Sequence, residues 1–186
     1  MPIDNVNKLN INEIFYSIQG EGFHAGRPVI FIRLQGCSSK NACYAMGIEC
    51  DTEFISGKPY SLEELDAYLK KEHPPCKSII WTGGEPCDQL TDEIIAWFKD
   101  REYWQAIETS GLKVPPAGLD WVVISPKCAE HVTLKKLKAY SEINGYYCDE
   151  LRYVRHKGQS CPERAIKAKY YCISTHSDGM TINREN

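Results

Sequence analysis

No apolar run in this sequence approaches the roughly 18 residues that a membrane span requires, and the polar opening stretch 1–10 lacks the apolar region of a signal peptide. A cytoplasmic protein with no membrane partner is the expectation. An excess of positive charge is missing too. The 22 Lys and Arg residues stand against 25 Asp and Glu, and the basic ones are scattered rather than run together. A phosphate backbone finds no electrostatic footprint here, so nucleic acid is not an expected partner. Internal repeats, low-complexity tracts and linker-like segments are also absent. With 186 residues, 42% hydrophobic and 11% aromatic, the chain is long enough to bury a real core, and one domain over 1–186 is expected.

Alternating with helical patterns are runs rich in β-branched and aromatic residues at 12–17, 29–34, 78–82, 104–109, 121–125, 150–154 and 170–174. The clearest helix begins after Ser61, where Ser61 and Glu64 form a capping-box pattern and Leu62, Leu65, Tyr68 and Leu69 share one face. Thr91 or Asp92 can cap a second helix carrying Ile94, Ile95, Trp97 and Phe98. A third pattern covers 131–141 with Leu134, Leu137 and Tyr140. This alternation predicts an α/β fold with parallel pairing and a barrel-like or open sheet, whose ligands bind at the carboxyl ends of the strands. Thr82-Gly83-Gly84-Glu85-Pro86, Glu108-Thr109-Ser110-Gly111 and Ser125-Pro126-Lys127 each close a predicted strand, and they are expected to gather on one rim.

Nine cysteines are many for a reducing compartment, where thiols are buried, reactive or metal-bound. Cys76, Cys87, Cys128, Cys148, Cys161 and Cys172 are read as small buried residues. Cys37, Cys43 and Cys50 form a group with five and six residues between them. Three thiolates suit three irons of a four-iron cluster, the fourth iron staying open to the amino and carboxylate groups of S-adenosylmethionine. A structural zinc site normally closes with a fourth ligand. Spacing alone leaves a chance grouping open. The Gly83-Gly84-Glu85-Pro86 run lets a ligand approach the backbone and stiffens the exit from the turn; by itself it also reads as an ordinary strand-to-helix connection.

Three cysteines after one strand, followed by Gly-Gly-Glu-Pro after the next, resemble the radical S-adenosylmethionine superfamily. Within it, the run from Asn12 through Phe15-Tyr16-Ser17-Ile18-Gln19-Gly20-Glu21-Gly22, then Gly26-Arg27-Pro28 to Arg33-Leu34-Gln35-Gly36-Cys37, resembles the 7-carboxy-7-deazaguanine synthase family. The segments at Glu108-Thr109-Ser110-Gly111 and Ser125-Pro126-Lys127 match as well. The resemblance implies an incomplete TIM-type βα barrel and a lyase that contracts 6-carboxy-5,6,7,8-tetrahydropterin to 7-carboxy-7-deazaguanine with loss of ammonia, a step toward queuosine. It implies a [4Fe-4S] cluster on Cys37, Cys43 and Cys50, Mg2+ on Thr52, and pterin held by Ile18, Gln19, Gly20, Glu21, Arg33 and Thr109. Residues implied around S-adenosylmethionine are Glu49, Asp51, Gly83, Gly84, Glu85, Gly111, Ser125, Pro126, Lys127, Ser174 and His176. A flavodoxin-like reductant and a homodimer are the implied partners.

Two departures stand out. Members of the superfamily usually leave three and then two residues between their cysteines, so the insertion over 44–49 alters the place of the usual aromatic contact before the third one. Family members also generally continue past the position of Asn186 with a helix and a segment that helps bind the substrate carboxylate, so the chain is expected to be short at that end. Other readings are a radical activase acting on a protein, a zinc or thiol-redox module without turnover and, for Glu21 and Arg33, a mutual ion pair. Iron with sulfide, as against zinc without it, separates enzyme from module.

Overall fold

The computed structural model describes residues 8–45, 50, 52–73, 75–126, 142, 145–155 and 166–175. The elements are β1 (Lys8–Ile18), β2 (Pro28–Leu34), α1 (Lys40–Ala45), β3 (Lys58–Ser61), α2 (Leu62–Glu72), β4 (Ser78–Gly83), a 3-10 turn (Pro86–Asp88), α3 (Asp92–Lys99), β5 (Trp104–Thr109), β6 (Trp121–Ile124), β7 (Cys148–Arg155) and β8 (Ala168–Thr175). The eight strands among the described residues form one sheet in the order β3-β1-β2-β4-β5-β6-β7-β8. From β2 to β8 every neighbour is parallel, as strands joined by crossovers must be.

The first strands depart from the expected parallel pattern. β1 pairs antiparallel with both β2 and β3. The link between β1 and β2 is too short for a crossover. It closes instead as a hairpin loop, with Gln19 N–H donating to the Arg27 carbonyl at 2.9 Å and Gly26 N–H to the Gln19 carbonyl at 2.8 Å. β3, which the apolar pattern did not announce, is a four-residue edge strand containing Pro59, a place where a missing ladder donor costs little. The short α1 was not expected either. The helical pattern over 131–141 lies outside the described residues.

α2 starts as its sequence indicates. The Ser61 hydroxyl accepts from Glu64 N–H at 3.1 Å, and Glu64 accepts from Ser61 N–H at 2.8 Å, satisfying two donors that helix geometry leaves orphaned. Thr91 caps α3. Both helices cover the same side of the sheet: Leu62, Leu65, Leu69, Ile94, Ile95 and Phe98 pack against Leu9, Ile11, Ile30, Ile32, Leu34, Ile79, Trp81 and Ile107 in the main core. Alternation along the strands turns the neighbouring residues to the other side. There Val29, Ile80 and Ala106 form a smaller apolar cluster with Phe31, Trp104 and Trp121. No described helix packs on that side, the uncovered side among the described residues, and Arg33, Glu108, Glu150 and Arg152 share it by strand register.

Candidate functional site

The expected rim forms at the carboxyl ends of β2, β4, β5 and β6. Gly84 N–H donates to the Leu34 carbonyl at 3.2 Å and Glu85 N–H to the Gly36 carbonyl at 3.0 Å. The Cys37 loop is thereby stitched to the Gly83-Gly84-Glu85-Pro86 turn. The glycine at 84 is needed for this contact, since a Cβ there would stand 1.9 Å from the Gly36 oxygen and 2.9 Å from Cys37 Cβ. The close approach that the two glycines permit is thus already made by the chain itself. Gly83, at φ 123°, adopts a backbone conformation that other residues avoid.

The Glu85 side chain is fully buried. Its carboxylate accepts from Thr109 Oγ1, from both N–H and Oγ of Ser110, and from Cys87 N–H, joining the ends of β4 and β5. Thr109 also accepts from Gly111 N–H at 3.1 Å. Ser125 N–H donates to the Thr109 carbonyl at 2.8 Å, which brings Ser125 and Pro126 to the same rim. A further anchor, which sequence reasoning missed, is Asp88: it accepts from Ser38 N–H at 2.8 Å and Ser38 Oγ at 2.7 Å, and pairs with Lys113 at 2.6 Å. Nothing in its local pattern distinguishes it from a solvated turn residue.

Cys37 and Cys43 are half-buried, Cys50 is exposed, and all three are free of disulfides. Cys37 Sγ lies 3.1 Å from Ser39 Oγ, and Cys50 Sγ faces the Thr52 carbonyl. The other cysteines differ in kind. Burial, reinforced by neighbouring carboxylates, pushes the Cys87 and Cys148 thiols up to about 12 and raises Cys172 as well, so they stay protonated and are poor ligands. Cys76 is buried; Cys128 and Cys161 lie outside the described residues. Among the described residues no three His, Cys, Asp or Glu side chains are gathered as an ion-binding group, and residues 46–49 and 51 of the cysteine loop are not among them. Three cysteine thiols outside any disulfide on one stretch of chain, anchored to a glycine turn, are a donor set of the kind an iron–sulfur cluster takes.

The 19–27 loop enters from the opposite rim, since Ile18 pairs with Pro28 at the start of β2, and it reaches across the uncovered side of the sheet. Ile18, Gly20 and Glu21 are exposed there. Gln19 is buried, with Nε2 donating to Glu108 Oε1 at 2.9 Å and Oε1 accepting from Glu21 N–H at 3.1 Å. Glu21 and Arg33 do not pair with one another. Arg33 Nε is 3.2 Å from Glu13, its cross-strand neighbour in register, whereas Glu21 meets Arg152. Buried Arg152 is bonded through Nη1 to Glu108 at 2.8 Å and through Nε to Glu150, also at 2.8 Å. Burial opposes its charge, but Glu108 and Glu150 outweigh that and raise its pKa. Sequence reasoning missed Glu108, Glu150 and Arg152 as site residues. Charges two apart inside the β7 run were the signal available, because they turn to one side of a strand whose intervening residue is core.

Of the remaining sequence candidates, Thr52 follows the cysteine loop half-buried and Ser174 is the last residue but one of β8, far along the sheet from β2. Glu49, Asp51, Lys127 and His176 lie outside the described residues.

No family model matches the chain. Among curated proteins it is similar to one from Bacteroides thetaiotaomicron called 7-carboxy-7-deazaguanine synthase, 40% identical over 117 residues, 63% of this chain and 60% of that one. A protein of the same name from Neisseria meningitidis serogroup B is 31% identical over 187 residues, covering 95% of this chain and 79% of that one. The chain thus spans less than two thirds of the Bacteroides relative's length. The crystal structure of QueE from Escherichia coli superposes with a TM-score of 0.58 at 25% identity, covering 81% of this chain and 72% of that one.

Proposed function

The chain belongs to the 7-carboxy-7-deazaguanine synthase family, and from that premise we propose that it is a radical S-adenosylmethionine lyase converting 6-carboxy-5,6,7,8-tetrahydropterin to 7-carboxy-7-deazaguanine with loss of ammonia. The observation that carries this reading is the stitching of the Cys37 loop to the Gly83-Gly84-Glu85-Pro86 turn, on the rim above a side of the sheet lined with hydrogen-bonding and charged groups. A sheet curled into an incomplete TIM-type barrel, with the uncovered side inward, accommodates that arrangement.

Cys37, Cys43 and Cys50 would hold a [4Fe-4S] cluster. Cluster and S-adenosylmethionine together supply the one-electron reduction of the sulfonium and the hydrogen-atom abstraction that begins the ring contraction. The chain's own part is positioning and exclusion of water. The Gly83-Gly84 turn, with Gly111, Ser125 and Pro126, would line the place of an amino acid head group and adenosine in this reading. Glu85, its carboxylate consumed by Thr109 and Ser110, keeps that turn in shape. Arg33 can turn from exposed Glu13 to a substrate carboxylate, a two-pronged bond that a guanidinium forms well, and Thr52 offers a hard oxygen to Mg2+. Residues Glu49, Asp51, Lys127, Ser174 and His176 complete the cofactor pocket in this reading. A flavodoxin-like electron donor, a homodimer and a cytoplasmic location belong to it too; no helix among the described residues is long and apolar enough to cross a membrane.

The test is mass spectrometry of an anaerobic reaction of iron-reconstituted protein with S-adenosylmethionine, Mg2+, reductant and the tetrahydropterin. Formation of 7-carboxy-7-deazaguanine supports the assignment. A cluster-bearing protein that makes 5'-deoxyadenosine but no deazaguanine keeps the superfamily assignment and leaves either a different substrate or a missing C-terminal segment as the reason.

A further inference from the structure

The amide of Gln19, expected to read the pterin ring, is already engaged at both ends: its nitrogen donates to Glu108 and its oxygen accepts from Glu21 N–H. With only 6% of its surface exposed, Gln19 ties the Glu108 carboxylate to the Glu21 backbone. The carboxylates of Glu21 and Glu108 converge. A single nitrogen, Arg152 Nη1, lies 2.8 Å from Glu108 Oε1 and 3.5 Å from Glu21 Oε2. Glu150 is fully used beneath them, with Oε1 on Arg152 Nε at 2.8 Å and Oε2 on Phe23 N–H at 3.1 Å. Among the described residues one cation therefore serves three carboxylates on this side of the sheet, which leaves their patch negative. Glu108 Oε1 takes both Gln19 and Arg152, and among the described residues nothing donates to its Oε2. The same is true of Glu21 Oε1.

We propose that Glu108 is a specificity-determining residue, presenting with Glu21 a pair of acceptor oxygens to the contiguous N–H and NH2 edge of a 2-amino-4-oxopteridine, and that Arg152 is the positioning residue holding both. This rests on the pterin assignment above. Two parallel N–H bonds to oxygens of two different carboxylates need both held in one plane, and a buried planar guanidinium that meets both holds them as a lysine ammonium does not. The acceptor pair also rejects. An analogue with a carbonyl in place of the 2-amino group brings oxygen against oxygen, and a site built for hydrogen bonding excludes such a ligand more strongly than an apolar pocket would.

The test compares binding of 6-carboxypterin and 6-carboxylumazine, which carries oxygen in place of the 2-amino group, to the cluster-reconstituted full chain with S-adenosylmethionine, by calorimetry without reductant. Wild-type protein is expected to prefer the pterin by about 100-fold, and Glu108→Gln, whose amide can donate to the lumazine carbonyl, to cut that preference to about 10-fold or less. Arg152→Lys should retain part of the preference and Arg152→Met lose it. A variant that merely loosens the fold weakens both ligands alike and leaves the ratio standing, which would overturn the proposal. If Glu108→Gln fails to fold, Glu108→Asp, which withdraws the carboxylate by one methylene, must reduce the ratio for the proposal to survive. Wild-type protein that binds neither ligand brings down the pterin assignment and the proposal together. A wild-type preference unchanged in the Glu108 variant brings down the proposal alone.

Discussion

The two sides of the sheet are built from the same strands and do opposite work. Beneath α2 and α3 lies a continuous apolar layer in which Trp81 and Phe98 are wholly buried, and polar side chains buried within it find partners. Gln105, for example, accepts from Trp81 Nε1 at 3.0 Å and donates to the Ile95 carbonyl at 2.9 Å. Across the sheet, alternate residues of β5 and β7 carry Glu108, Glu150 and Arg152. Ionic groups there face one another and the 19–27 loop, a costly arrangement that apolar packing would often equal in stability. The covered side holds the fold, and under the proposed function the uncovered side gives up stability for recognition.

Substitutions can separate those roles. The largest effect is expected at the cysteine loop: Cys37→Ala, Cys43→Ala or Cys50→Ala should each abolish iron and sulfide binding and all turnover, while Cys148→Ala keeps the iron. Quantifying iron, sulfide and zinc in each purified variant decides this, and retained iron with activity removes that residue from the ligand set. On the covered side, Trp81→Ala should cost about 3–5 kcal/mol in denaturant unfolding, since it empties the middle of the main core. Gly84→Ala pushes a methyl into the Gly36 carbonyl and should cost about 1–3 kcal/mol, with poor cluster reconstitution as its second sign. A Gly84→Ala protein as stable and as iron-loaded as wild type would mean that the stitched turn is not needed. Ser61→Ala removes one half of the α2 capping box and should lose about 1 kcal/mol with kcat and KM unchanged, because that helix end supports only the covered side.

The smallest effect is a pH slope on the uncovered side. His24 Nε2 is buried with no partner among the described residues, and burial followed by the Arg27 charge lowers its pKa from 6.5, against opposing pulls from Glu150 and Asp149. The unfolded chain therefore takes up the proton first. The contribution of His24 to stability is complete above pH 6.5 and declines as pH falls toward its lower folded value. His24→Phe should flatten the decline in Tm between pH 7.5 and 5.5 relative to wild type, and an identical slope would remove His24 from that role.

Much of the covered side was legible in the sequence, because its signals are local. The spacing of Leu62, Leu65 and Leu69, the Ser61 and Glu64 pair, and the β-branched runs each fix an element without reference to the rest of the chain. Parallel order from β2 onward and the gathering of strand ends on one rim followed from alternation alone. The antiparallel β1 and the edge strand β3 did not, since β3 has too little apolar content and the hairpin depends on loop closure rather than periodicity. On the uncovered side, Gln19 and Glu21 were visible only through family resemblance. The partnership of Glu21 with Arg152 rather than Arg33 needed the third dimension: 131 residues separate the partners in sequence, and the bond exists because the 19–27 loop crosses to β7.

The most direct measurement follows a hydrogen atom. In an anaerobic reaction with tetrahydropterin deuterated on its saturated ring carbons, the account predicts 5'-deoxyadenosine one mass unit heavier, appearing together with 7-carboxy-7-deazaguanine. Unlabelled 5'-deoxyadenosine from cluster-bearing protein, with the pterin unchanged, would contradict it.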